Sequence, residues 1–252
     1  LNNQIYEIAQ RQLNDYRSTE PGMCFSKKDF SLNVEDAYAV QDEITRLRID
    51  DGERVAGYKV GCTGPGTTKL FGMKGPIRGT LFDTEVHKDG VALDARSFCN
   101  LAVEAEMGIK IGAQGQILSV FPVIELHNFI FRGPKKSLSE LIANNGLNKG
   151  IVLSKKSWEK MPEMYKENSV LSLEINGSVV DSGNLWPMDG GPLSSLSWLN
   201  ANLAKYGLKC CGENIILGGT ALGLYHIKPG DTVDVKVNGQ SAVKCFVSLL
   251  AA

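Results

Sequence analysis

The sequence predicts an α+β protein, with two helices at the N-terminus followed mostly by strands. Three observations carry this. Apolar residues recur at helical spacing ahead of residue 50, short alternating or continuous apolar runs dominate beyond it, and Gly, Pro and Asn punctuate those runs. The order lacks the βαβ alternation of a parallel nucleotide-binding sheet.

Element by element, residues 1–16 place Ile5, Ile8, Leu13 and Tyr16 near one helical stripe. A second helix opens at Asn33, a good N-cap, with Glu35 and Asp36 in the first turn, where the helix dipole favours anions. Ala37, Val40, Ile44 and Leu47 form its buried face, and Gly52 supplies the stop near 50–52. Residues 55–61 read as a short strand, 61–66 as a glycine-rich loop and 67–71 as one helical turn. Strands are expected over 80–86, 101–111 and 120–130, and a helix over 137–144. Asn176-Gly177 is a type I′ turn signal, so 170–180 reads as a hairpin. Leu193, Leu196, Leu199 and Leu203 predict a helix over 193–206. The tail reads as strands at 214–217, 231–237 and 241–249, the last two joined at Asn238-Gly239 and introduced by the turn Pro229-Gly230-Asp231. The expected division is a helical N-terminal subdomain over 1–75 and a β-rich catalytic domain over 76–252.

Charge excludes some classes of partner. With 27 Lys+Arg against 28 Asp+Glu and no basic block, neither nucleic acid nor a membrane surface is an expected partner. At 43% hydrophobic and 22% charged, the chain can bury a core. No apolar run is long enough to span a bilayer, and the first ten residues are too polar for a signal peptide. The six cysteines (24, 62, 99, 210, 211 and 245) form no Cys-x-x-Cys and read as reduced thiols, which points to the cytoplasm.

The chemistry gathers in a few residues. On a strand, Glu104 and Glu106 project from the same face of an apolar segment, and paired anions there call for a cation. A hard dication such as Mg²⁺ suits oxygen ligands of this kind. Glu125 lies inside an apolar run, where an unpaired carboxylate is costly, so it is the candidate third acid. His127 shares its face and reads as a ligand, a supporting donor, a substrate contact or a core histidine. Lys59, bracketed by Gly57 and Gly61, is a candidate donor to a carbonyl or enolate oxygen. There is no Gly-x-Gly-x-x-Gly after a strand, no Walker loop and no Gly-x-Ser-x-Gly elbow.

Taken in order, several pieces resemble a known family. They are Asp36-Ala37-Tyr38-Ala39-Val40-Gln41, Gly57-Tyr58-Lys59-Val60-Gly61, Gly79-Thr80-Leu81-Phe82, Val103-Glu104-Ala105-Glu106, Pro122-Val123-Ile124-Glu125, Ile142-Ala143-Asn144-Asn145-Gly146, Gly218-Gly219-Thr220-Ala221-Leu222-Gly223 and Pro229-Gly230-Asp231. From about residue 35 to 248 the chain resembles the 2-keto-4-pentenoate hydratase / 4-oxalocrotonate decarboxylase branch of the fumarylacetoacetate hydrolase superfamily. The resemblance implies a mixed β-sandwich roll with a small helical N-terminal part, a homo-oligomer, and a Mg²⁺ or Mn²⁺ site. It places the metal carboxylates on Glu104, Glu106 and Glu125, the active-site lysine on Lys59, a further catalytic acid on Asp83, and a substrate contact on Thr220. The implied activity is a metal-dependent hydratase of a short 2-oxo or 2-hydroxydienoic acid, such as 2-hydroxypenta-2,4-dienoate, in aromatic catabolism. After Glu125 the chain departs from the family pattern: the run is Leu126-His127-Asn128-Phe129-Ile130-Phe131, and the arginine is displaced to Arg132. A decarboxylase of the same branch, an acylpyruvate-type C–C hydrolase and a non-catalytic binder are the alternatives; the lack of a His-x-x-Glu tells against the hydrolase.

Overall fold

Asn33 caps its helix as expected, its side-chain oxygen accepting the Asp36 N–H at 2.7 Å. The computed structural model describes residues 3–20, 25, 31–64, 76–130, 137–155 and 169–248; the turn expected at 67–71, Arg132 and Cys24 lie outside them. Helix α1 (Asn3–Ser18) packs on α2 (Val34–Asp50), and both meet the short α3 (Leu138–Ala143). Ile5, Ile8 and Ala9 share one apolar cluster with Ala37, Val40, Leu141 and Ile142. Arg48 fixes α2 to the sheet, lying 3.5 Å from the Phe82 ring centroid and pairing with Glu53 at 2.6 Å.

The remainder is mostly strands. They are β1 (Val55–Gly61), β2 (Ile77–Phe82), β3 (Val86–Lys88), β4 (Val91–Asp94), β5 (Ala102–Ile111), β6 (Ile117–His127), β7 (Asn148–Leu153), β8 (Val170–Ile175) and β9 (Ser178–Asn184). After α4 (Pro192–Lys205) come β10 (Ile215–Leu217), β11 (Tyr225–His226), β12 (Thr232–Val237) and β13 (Gln240–Ser248). The larger sheet has the order β2-β1-β10-β5-β6-β7-β3, with β11 also pairing β5; the smaller is β4-β13-β12-β8-β9. Most neighbours are antiparallel, while β1·β10, β3·β7 and β4·β13 are parallel. Strand β1, from the 1–75 segment, therefore lies inside the large sheet, and the helical part of that segment ends at Asp50.

Both predicted hairpin turns carry the left-handed pair that a type I′ turn requires. Asn176 and Gly177 have φ of 54° and 78°, and Asn238 and Gly239 have 50° and 79°. The strand expected over 80–86 stops at Phe82, because the Asp83 side chain accepts the Arg54 N–H at 3.0 Å and the chain turns through a 3-10 segment. The strand expected over 120–130 starts earlier and stops at His127. There the Asn128 side chain accepts the Cys99 N–H at 2.6 Å, and Phe129 turns left-handed.

The main core lies between the two sheets. Val60, Met107, Ile109, Ile124 and Leu126 of the large sheet meet Leu171, Leu173, Val233, Val235 and Val243 of the small one, with Leu199 and Leu203 of α4 closing the side. Burying side chains of this size contributes about 1.5–3 kcal/mol each. Among the described residues no helix is long and apolar enough to cross a membrane, and the described cysteines are free thiols.

Candidate active site

The other face of the large sheet carries the charge. Glu104 sits opposite Glu125 in the β5–β6 ladder, and Ala102 sits opposite His127. Alternation along each strand therefore brings Glu104, Glu106, Glu125 and His127 onto one face. Lys59 reaches the same face through β10, since it aligns with Leu217, which aligns with Gly108. Lys59, Glu106, Glu125 and His127 are all buried, and Glu104 is partly so.

Each charge has a defined partner. The Lys59 ammonium donates to Glu125 Oε1 and, at 3.2 Å, to the Gly146 carbonyl. Glu125 Oε1 also accepts from Asn148 Nδ2 at 2.8 Å, and Asn148 is itself fixed by accepting the Gly150 N–H at 3.0 Å. Glu106 Oε1 accepts the Gly219 N–H at 2.5 Å. His127 Nε2 lies 3.1 Å from Glu104 Oε2 and 3.4 Å from Glu125 Oε2.

The lysine stem needs glycines around it. A Cβ on Gly79, its cross-strand neighbour, would lie 2.8 Å from Lys59 Cγ, and one on Gly61 would lie 3.0 Å from Cε. The carbonyl that Lys59 meets belongs to an unusual turn. Asn145, Gly146 and Leu147 all have left-handed φ, at 57°, 60° and 64°. Each L-residue held there costs roughly 1–2 kcal/mol. The Asn145 side chain offsets part of that cost by accepting the Thr80 N–H at 2.6 Å and donating to the Thr80 carbonyl at 2.7 Å.

The Gly219 donor is held just as firmly. Ser195, fully buried on α4, donates to the Gly218 carbonyl at 2.6 Å, and Thr63 donates to the Thr220 carbonyl at 2.9 Å. Gly219 itself has φ of +86°, and a Cβ there would strike Thr63 at 2.6 Å.

Burial and mutual repulsion set the protonation pattern. Burial, then the charges of Glu125 and Glu104, push Glu106 well above the ordinary carboxylate range despite Lys59. Burial also works against the Glu125 anion, but Lys59 and His127 outweigh it and hold that carboxyl low. For Lys59, burial is overcome by Glu125, Glu104 and Glu106, so its pKa is raised and the side chain stays an ammonium. His127 is likewise raised, to about 9, where burial is outweighed first by Glu125. Burial lifts the Cys62 thiol to about 11, so it offers no thiolate near neutral pH.

The fold thus gathers Lys59, Glu104, Glu106, Glu125 and His127, with Thr220 one residue beyond the Gly219 donor. The Thr220 hydroxyl oxygen accepts the Leu222 N–H at 3.0 Å. Asp83 is not brought there. It lies past the end of β2, where it pairs with Arg54 at 2.8 Å, four residues along the chain from the Gly79 that faces Lys59. Asn148, the Gly146 carbonyl and the Gly219 N–H were not legible as site groups: the first is one amide among many, and the other two are backbone. The donor set fits a dication. Ligand atoms from Glu104, Glu125 and His127 lie within 4.8 Å of one another, and Glu106, whose ionisation burial and the neighbouring carboxylates oppose, stands on the same face where a cation would favour its charged form.

No protein-family model matches the chain. The backbone superposes on 4-oxalocrotonate decarboxylase from Pseudomonas putida G7, complexed with magnesium and adipate, with a TM-score of 0.90, 23% identity and 98% of each chain covered. The fold is that of the fumarylacetoacetate hydrolase superfamily, a mixed β-sandwich roll with a helical N-terminal part. In sequence, the chain is 27% identical over 251 residues to 2-keto-4-pentenoate hydratase of Paraburkholderia xenovorans (strain LB400), covering 94% of this chain and 93% of the relative. It is 26% identical over 249 residues to 4-oxalocrotonate decarboxylase of Pseudomonas putida, covering 94% of this chain and 90% of the relative. The chain is therefore similar, over nearly its whole length, to the hydratase and decarboxylase branch, whose named members here are enzymes.

Proposed function

We propose that this protein is a metal-dependent hydro-lyase that adds water to a short 2-hydroxydienoic or 2-oxoenoic acid, such as 2-hydroxypenta-2,4-dienoate. The observation that carries the reading is one buried ammonium set among three carboxylates on a single sheet face. Glu104, Glu106 and Glu125 would hold Mg²⁺ or Mn²⁺, with His127 beside Glu104 and Glu125, and Thr220 toward the substrate. When bound, the dication supplies Lewis-acid stabilisation of negative charge developing on the substrate's 2-oxygen. Lys59 commits two of its three N–H donors, to Glu125 and Gly146. The third is left for a substrate oxygen, or for delivering a proton to the neighbouring carbon. Paired with Glu125, Lys59 is an ammonium in the metal-free site, a form able to donate to a substrate oxygen. Asp83, paired with Arg54, takes no part in this reading. The protein would work in the cytoplasm as a homo-oligomer.

Decarboxylation of a related acid is the second reading, supported by the 0.90 TM-score to a decarboxylase. Charge stabilisation at the 2-oxygen serves both reactions, and the distal substrate group decides between them. The test is incubation with 2-hydroxypenta-2,4-dienoate and Mg²⁺ or Mn²⁺. Hydration appears as loss of dienoate absorbance. Release of CO₂ from a substrate with a second carboxylate, with the dienoate left untouched, selects the decarboxylase instead. Glu106→Gln abolishes the metal-dependent rate while the far-UV spectrum stays native; unchanged turnover in that variant would remove the metal site from the mechanism.

A further inference from the structure

We infer that His127 is a nitrogen ligand of the metal, so that this site prefers a borderline first-row ion such as Co²⁺ or Zn²⁺ over Mg²⁺. The inference rests on the metal-site reading above and deepens it, since the carboxylates alone describe an all-oxygen site for a hard ion.

The committed hydrogen bonds show which atoms remain for a metal. Glu125 Oε1 is occupied by Lys59 and Asn148, and Glu106 Oε1 by the Gly219 N–H. Glu104 Oε2, Glu125 Oε2 and His127 Nε2 face one another, engaged among the described residues only with each other through the imidazole proton that a metal would displace. The two N···O separations, 3.1 and 3.4 Å, match those between adjacent ligands around one ion. Bonds of roughly 2.0–2.2 Å at octahedral to tetrahedral angles leave donors about 2.8–3.6 Å apart.

The ring is free to act this way. His127 is 5% exposed, its Nδ1 has no hydrogen-bond partner among the described residues, and its Nε2 donates toward the two carboxylates, so a cation seated between them would take the place of the Nε2 proton. The chain's own register fixes the ring's position. His127 is two residues from Glu125 on β6, and its ladder partner Ala102 is two residues from Glu104 on β5. Imidazole suits zinc, iron, copper and nickel, whereas carboxylate and water suit magnesium, calcium and manganese, so adding one nitrogen donor shifts the preference.

The test uses the full chain loaded with Mn²⁺ alone, read by electron spin-echo modulation, together with Co²⁺/Mg²⁺ competition by equilibrium dialysis. The expected result is modulation from one directly bound imidazole ¹⁴N, absent in His127→Val. The Co²⁺-over-Mg²⁺ ratio should fall roughly 10–100-fold in that variant. Metal that binds without nitrogen coupling, or an unchanged ratio in the variant, overturns the inference and leaves the carboxylate site standing. If neither ion binds the wild-type chain, the metal reading itself fails and takes this one with it. The nitrogen signal is read on the wild-type chain, so the outcome stands even if His127→Val does not fold.

Discussion

The two faces of the large sheet are built from the same strands on opposite terms. Along β5, Ala105, Met107 and Ile109 point into the inter-sheet core, while Glu104 and Glu106 point away from it. On the core face any apolar neighbour of suitable volume serves, because dispersion and burial are non-directional. On the site face each buried charge relies on a few particular groups brought from distant parts of the chain. Glu125 relies on Lys59 and Asn148, and Glu106 on the Gly219 N–H. The core face is thus tolerant and strong, whereas the site face is intolerant and held together by pairings that a single substitution undoes.

The largest break comes from Lys59→Met. Removing one partner of a buried pair leaves Glu125 with only His127 and Asn148 to offset its charge, and urea unfolding should show a loss of about 3–5 kcal/mol in the metal-free protein. Metal binding should be no weaker, since a competing cation has gone, while kcat collapses. A loss under about 1 kcal/mol would mean that the site face is less dependent on this pair than described. On the opposite face, Met107→Ala should cost about 2–5 kcal/mol through its cavity, with kcat retained well below the melting temperature. A fall in kcat there would show that the two faces are coupled. Gly79→Ala sharpens the contrast, since its methyl group would meet Lys59 Cγ at 2.8 Å and the Asn145 carbonyl at 3.0 Å. About 1–3 kcal/mol of strain is expected, with kcat lowered more than KM is raised.

The smallest effect lies at the sheet's edge, at His87 on β3. Burial, partly opposed by Glu85, lowers its imidazole from the ordinary 6.5. The unfolded chain therefore takes up a proton first as the pH falls. Stability is full above the unfolded value and declines as the pH drops through it toward the folded one. His87→Gln should flatten that part of the curve, read as the urea midpoint against pH; an unchanged slope would assign it to other groups.

Much of this was legible in the sequence for a physical reason. Glu104 and Glu106 announce a shared face by their spacing, and Glu125 announces a partner by sitting in an apolar run. The hairpins at Asn176-Gly177 and Asn238-Gly239 follow from what their φ angles demand. Legibility fails where a role is carried by backbone or by long-range register. Nothing in Gly146 or Gly219 marks a carbonyl or an N–H aimed at a charge. Asp83 shows the converse, an acid in a family-like position whose nearest cation, Arg54, holds it at the strand end. His127 lay between several readings until the β5–β6 register set its ring against two carboxylates.

Strand β10, only three residues long, lies between the strand of Lys59 and the strand of Glu106. A ribosome must therefore complete residue 217 before the amine and the acids can become neighbours, although the β5–β6 hairpin has emerged whole some ninety residues earlier. Catalytic competence is in this way tied to synthesis through residue 217. A prematurely terminated product that lacks β10 would carry every acid of the centre and still have no means of closing it.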